Sequence, residues 1–130
     1  MTGPRPRIHL ARAHRVRDGA PVQGARVLVD RLWPRGIARA DLAPDLWAKD
    51  AAPSNELRRW FGHDPARWAE FVRRYREELA QRPEAVEDLL ALCRRGPVTL
   101  LYAARDEAHN NAVVLRDVLA GRLAEEEEKG

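Results

Sequence analysis

Cysteine is nearly absent from this sequence: Cys93 stands alone among 130 residues. A single thiol excludes an internal disulfide and a cysteine metal cage, and the position of Cys93 on the apolar face of a predicted helix makes it a core thiol. Long apolar runs are missing too. The stretch from Val98 to Ala104 falls far short of the ~20 residues that a membrane helix needs. The N-terminus carries Arg5, Arg7 and Arg12 without an apolar signal core, so the expectation is a soluble cytoplasmic protein. Lysine is rare: only Lys49 and Lys129 are present, and arginine supplies nearly all the positive charge. Arginine's planar fork suits bidentate recognition of carboxylate or phosphate, although genome composition produces the same bias. There is no Gly-x-Gly-x-x-Gly, phosphate loop, nucleophile elbow or His-Glu-x-x-His, so no motif names a reaction or a cofactor.

What is present fits one domain. With 45% hydrophobic residues, a chain of this length buries roughly two thirds of its unfolded surface around one core. The net charge of +3 hides an asymmetry: residues 1–60 hold 12 basic and 6 acidic side chains, residues 61–130 hold 11 and 14.

Read in order, residues 1–6 form a loose leader, and Ile8, Leu10 and Ala11 support a strand over roughly 7–14. A regular strand there puts His9 and His14 on opposite faces. A turn over Arg17 to Gly24 leads to a strand at 26–32, in which Val27, Leu28 and Val29 are followed at once by Asp30, Arg31, Trp33, Pro34, Arg35 and Gly36. Pro34 cannot donate to a sheet ladder, so the strand stops there. Ala38 to Asp45 reads as a short helical turn or loop, with Asp41 in a capping position. Leu46 to Asp50 fits either a short edge strand or a helix end, and its alternation favours the strand.

Helices dominate the middle. Ser54 caps one whose apolar positions are Leu57, Trp60 and Phe61, and Gly62 closes it. Asp64 and Pro65 open an amphipathic helix over 65–81, with Trp68, Phe71, Val72, Tyr75 and Leu79 on one face. Pro83 starts another, with Val86, Leu89, Leu90 and Cys93 inward, and Gly96-Pro97 ends it. A second buried strand follows at 98–103. The last helix is expected from about Ala108 to Leu119, with Gly121 at its end and residues 122–130 a solvated acidic tail. The expected fold is a single small α/β domain with a short, mainly parallel sheet flanked by helices.

Two buried strands thus end in polar clusters, which meet if the strands run parallel. One brings Asp30, Arg31, Trp33 and Arg35; the other brings Tyr102, Arg105 and Asp106, followed by His109, Asn110 and Asn111 at a helix start. Ligands of open α/β sheets sit beyond the carboxyl ends of the strands. Such a pocket would hold an anion on Arg31 and Arg35 against Trp33, with Asp30, His63 or His109 as acid or base. Each residue also has a plainer use. Asp30 and Arg31 equally make a structural ion pair, Asp106 a helix cap, and His63 a loop residue filling a hydrogen bond. Spacing does not demand a metal site from Asp30, His63, Asp106 and His109, and none is assigned.

Val-Asp-Arg-Leu-Trp-Pro-Arg-Gly at 29–36, Trp47 with Lys49-Asp50, Ala52-Pro53-Ser54, Trp60-Phe61-Gly62-His63, Thr99 to Ala104 and His109-Asn110-Asn111-Ala112 give the chain a specific resemblance. Over nearly its whole length it resembles the DUF488 family (domain of unknown function 488), in its YeaO-like branch. The resemblance implies a small α/β domain and strengthens the choice of site residues. Lys49 and Ser54, within its motifs, join Tyr102, Asp106 and Asn110 as candidate ligand contacts. It implies no activity. Some longer relatives carry cysteines near the strand end matching Tyr102 to Asn110; this chain has none there, which argues against thiol chemistry.

Two classes of function follow. The first is a binder, or enzyme, for an anionic small molecule that is phosphorylated or nucleotide-like. The second is a nucleic-acid-binding or regulatory module using Arg5, Arg7, Arg12, Arg15 and Arg17 on phosphates. The mixed charge elsewhere and the lack of a helix-turn-helix pattern disfavour the second. The sequence specifies no oligomeric state.

Overall fold

The computed structural model describes residues 8–129. Four strands form one wholly parallel sheet: β1 (Ile8–Arg12), β2 (Ala25–Leu28), β3 (Leu46–Trp47) and β4 (Val98–Tyr102), in spatial order β1-β4-β2-β3. The last strand in sequence therefore lies in the middle, and all five of its residues are buried. This explains its continuous apolar run, since a central strand covered on both faces has no solvent side to make polar. Thr99, its one polar side chain, donates its hydroxyl to the Gln23 carbonyl at 2.7 Å.

Alternation along the strands divides the core in two. Val27, Val29, Val98, Leu100 and Tyr102 face the larger half, which is filled by α4 (Trp68–Ala80), α5 (Pro83–Arg95) and α6 (Asn111–Lys129). Phe71, Tyr75 and Leu79 of α4 are buried there, while Trp68 and Val72 lie at its margin. Leu28 and Leu101 face the smaller half, closed by Ala13 and Val16 of α1 (Ala13–Arg17), by Ile37, and by Leu42 of α2 (Arg39–Leu42). At the amino end of the sheet, the Ala25 N–H bonds the Pro97 carbonyl at 3.0 Å. A Cβ on Gly24 would lie 1.9 Å from that same oxygen, so this close approach, at φ +69°, admits only glycine.

Several boundaries differ from those read off the sequence. The first strand stops at Arg12, and His14 sits in α1, so His9 and His14 do not share a strand. The second ends at Leu28; the Val29 N–H still bonds the Leu101 carbonyl, but Asp30 onward is loop. Asp41 lies inside α2, which Ala38 precedes. Residues 46–50 are split, two in β3 and the rest opening the 3-10 turn Lys49–Ala51. Pro65–Arg67 is likewise a 3-10 turn, and α4 proper begins at Trp68.

α6 starts three residues later than Ala108 and passes through Gly121 to Lys129. Packing against β1, β4, α4 and α5 outweighs the modest helix penalty of one glycine. Glu125 to Glu128 are exposed on that helix, and Glu126 reaches Arg94 of α5. The proposed leader, residues 1–6, lies outside the described residues. No helix among them is long and apolar enough to cross a membrane.

Candidate functional site

Neighbouring parallel strands whose next helices turn to opposite faces leave a crevice between their carboxyl ends. β1 and β4 are such a pair: α1 follows β1 onto the smaller half of the core, and α6 follows β4 onto the larger. A cleft of about 840 Å³ opens there. Its walls come from the end of β1 (Arg12), the start of α1 (His14), the loop after β2 (Asp30 to Arg35) and the loop after β4 (Ala103 to Asp106). Asn110, Asn111 and a patch around α3 (Asn55–Phe61) complete it.

Asp30 fastens these walls together. One carboxylate oxygen accepts the Ala103 N–H at 2.9 Å, and the other accepts from Asn111 Nδ2 at 3.2 Å. Its own carbonyl accepts from Trp47 Nε1 at 2.7 Å. The ion pair with Arg31 is not formed. Burial pushes the Asp30 carboxyl above its usual range, and the bonds from Ala103 and Asn111 only partly oppose this. A partly desolvated carboxylate with two of its roughly four acceptor sites still open suits contact with a ligand donor.

Five arginines line the cleft against two carboxylates: Arg12, Arg31, Arg35, Arg58 and Arg105 face Asp30 and Asp106. They are not equivalent. Arg31 donates to the carbonyls of Pro53 at 3.1 Å and Ala52 at 3.5 Å, so it props the loop ahead of α3. Arg12 Nε reaches the Ala103 carbonyl at 3.3 Å. Arg58 touches only Asn55 Oδ1 at 3.5 Å. The exposed side chains of Arg35 and Arg105 have no hydrogen bond or ion pair among the described residues, while the Arg35 carbonyl is held by His14 Nε2 at 3.1 Å. The buried Nδ1 of His14 is left without a partner.

Of the residues singled out from the sequence, Asp30, Arg31, Trp33, Arg35, His63, Asp106 and Asn110 border this one cleft. Trp33 is anchored by its N–H to the Ile37 carbonyl at 2.7 Å and meets Trp47 edge-on at 5.4 Å. His63 follows the left-handed cap Gly62 and is itself left-handed at φ 58°, a state histidine adopts more readily than most residues.

Asp106 does cap, but not α6: its carboxylate accepts from the N–H groups of Ala108 and His109, and Asn110 Oδ1 caps α6 through Val113. The side-chain bond from His109 Nδ1 at 2.9 Å, with those two N–H groups, holds Asp106 below the usual carboxylate range.

Four candidates lie apart from the cleft wall. His109 is turned into its bond with Asp106 and edge-on against Trp68 at 5.2 Å. Ser54 caps α3 through Leu57 and donates its N–H and hydroxyl to Glu78 at 2.8 and 2.6 Å. Lys49 stacks on Trp47 at 3.8 Å, beside a separate hollow along the β3 edge. Tyr102 is 3% exposed, within the larger core. Its place at a strand end suggested a site, but strand alternation turns it inward.

The sequence reading gave His14 and Arg58 no place in this site and put Arg12 elsewhere. Arg58 stands beside Leu57 among the residues that carry the family resemblance, but nothing in its spacing marked it for the site; its place in the cleft comes from where α3 docks. Among the described residues no group of three or more His, Cys, Asp or Glu side chains is gathered for a metal.

Comparison with known proteins adds kinship. The family model described as the inactive DUF488-N3 subclade matches residues 7–130. An uncharacterized protein of Mycobacterium tuberculosis (strain H37Rv) is 45% identical over 116 residues, covering 89% of this chain and 96% of that protein. The uncharacterized protein YeaO of Escherichia coli (strain K12) is 46% identical over 96 residues, covering 74% of this chain and 84% of its own length. No solved structure matches the chain.

Proposed function

This chain belongs to the DUF488 family, in the subclade described as inactive, and we propose that its strand-end cleft binds a phosphate-bearing small molecule. One observation carries the reading: arginines from four separate segments converge on a crevice with few acids, and two of them, Arg35 and Arg105, hold no partner among the described residues. Like charges brought together without partners disfavour the empty protein, and an anion relieves this. A functional site often carries such a penalty. The description of the subclade as inactive favours binding over turnover. In this reading Asp30 and His63 contact the ligand rather than transfer protons. The proposal sets the protein in the cytoplasm, among phosphorylated metabolites.

The nucleic-acid reading has less support. Arg12 is spent on the Ala103 carbonyl, Arg15 pairs with Glu107 at 2.9 Å and Arg17 with Asp18 at 2.9 Å. Arg5 and Arg7 lie outside the described residues.

The test is thermal melting of the wild type and Arg35→Gln, with and without tens of millimolar phosphate at matched ionic strength. Phosphate should raise the wild-type midpoint by mass action, and the variant should respond little. Without ligand, the exposed substitution should change stability by no more than about 0.5 kcal/mol. Equal shifts in the two proteins would defeat the reading.

A further inference from the structure

The cleft is larger and more varied than a phosphate requires. A volume of about 840 Å³ falls in the range of whole small-molecule sites rather than of a single tetrahedral anion. Its wall is divided. The His14 bond to the Arg35 carbonyl ties the β2 loop to α1, and the Arg12 bond to the Ala103 carbonyl ties β1 to the β4 loop, so the loops that carry Arg35 and Arg105 are each fastened to the β1–α1 segment. Apart from these loops, α3, α4 and the turn between them contribute Phe61, Phe71 and His63, with Pro53 just ahead of α3. Phe61 and Phe71 stack at 4.3 Å, and His63 lies at a tilt 6.2 Å from Phe61, exposed at the edge of this aromatic group. Leu32, the one large apolar side chain that is well exposed among the described residues, also borders the cleft.

Asp30 connects with both groups of lining residues: it is bonded to Ala103 of the β4 loop and feels the charge of His63 and Arg58. Asp106 is satisfied by His109, but Asp30 has no cationic partner among the described residues. A carboxylate in the wall of an anion site repels the anion unless the ligand brings an uncharged donor to it. The lining thus offers guanidinia, a carboxylate with open acceptor sites and an aromatic and apolar edge, which together suit a ligand with an anion, a hydroxyl-bearing middle and a flat apolar end.

Resting on the anion-binding reading above, we infer that the cleft is a ribonucleoside monophosphate site. The phosphate lies on Arg35 and Arg105, a ribose hydroxyl donates to Asp30, and the base lies against His63 and Leu32. Asp30 is then a specificity-determining residue, since a site built to receive a hydroxyl leaves a desolvated acceptor unpaired when the hydroxyl is missing.

Isothermal titration of the intact protein with four probes tests this: adenosine monophosphate, its 2′,3′-dideoxy analogue, ribose 5-phosphate and inorganic phosphate. Adenosine monophosphate should bind at least tenfold more tightly than ribose 5-phosphate, and ribose 5-phosphate more tightly than phosphate. The dideoxy analogue should lose about tenfold or more, as expected for a hydrogen bond to a charged group. His63→Asn, which tolerates the left-handed backbone, should abolish the advantage of the nucleotide over ribose 5-phosphate while leaving phosphate binding intact. Equal binding of all four probes would overturn the nucleotide assignment and leave the anion reading standing. Dideoxy binding equal to that of the ribonucleotide would remove Asp30 from the inference. No binding by any probe would sink both readings.

Discussion

Arginine is used in opposite ways in two regions of this molecule. On the outer helices several guanidinia meet carboxylates: Arg73 takes Glu70 and Glu77, Arg74 takes Glu70, and Arg94 bridges Glu87 and Glu126 across α5 and α6, while the exposed Arg76, Arg95 and Arg122 have no such partner among the described residues. These contacts hold Glu70, Glu87 and Glu126 below their ordinary range, Glu70 down to about 2. All are exposed, where such pairs add little to stability. In the cleft the same side chain meets backbone carbonyls, as in Arg12 and Arg31, or, among the described residues, nothing, as in Arg35 and Arg105. On a helix, acids three or four residues away fall beside an arginine automatically. Beyond a strand end no such neighbour is supplied, and the cation is left for the fold or for a ligand.

The helical layer should break only through its inner face. Phe71→Ala, at a position 2% exposed and stacked on Phe61, should cost about 3–5 kcal/mol in chemical denaturation. A loss near that of a surface substitution would mean that the aromatic stripe does not carry the layer.

Within the cleft, structural and ligand-facing arginines should separate. Arg31→Met keeps most of the apolar stem but leaves the Pro53 carbonyl without its donor; Ala52 keeps Arg82 at 2.7 Å. The expected cost is about 1–3 kcal/mol, against almost none for Arg35→Gln. Equal costs for the two would erase the distinction between a prop and a waiting cation.

The smallest effect concerns Asp30 and pH. Its carboxyl is raised in the fold, so the native state binds its proton more tightly than the unfolded chain does. Its contribution is most favourable below the unfolded value near 4 and is lost as pH rises through the folded value. Asp30→Asn removes this titration, so the wild type should lose stability relative to the variant as pH climbs from about 4. A constant difference across that range would show that burial does not govern Asp30.

Much of the fold was legible because local chemistry carried it. Ser54 with Leu57, Trp60 and Phe61, and Gly62 in the left-handed cap, mark α3 from one end to the other. The spacing of Phe71, Tyr75 and Leu79 marks the buried face of α4. The apolar runs at Val27 and Val98 locate two neighbouring parallel strands. Boundaries failed where packing overrode a local stop signal, as at Gly121 in α6, or where a strand shortened into a helix, as at Ala13. Within the site, Asp30, Trp33 and Arg35 could be picked out because charge directly follows a buried strand. Ser54 and Lys49 could not be sorted from the true lining, because a cap and a cation stacked on Trp47 look like ligand groups in one dimension.

The sequence by itself determined the α/β class, the family and the placing of charge at two strand ends, because periodicity, capping and turn chemistry act over a few residues. The tertiary structure alone decided that β4 lies between β1 and β2, and so which loops share a crevice. It bent Arg31 onto the Pro53 carbonyl, gave Asp30 to Ala103 and Asn111, and brought Arg12, His14 and Arg58 to the same wall. Partners more than twenty residues apart are set by how whole elements dock, and no local pattern encodes that distance.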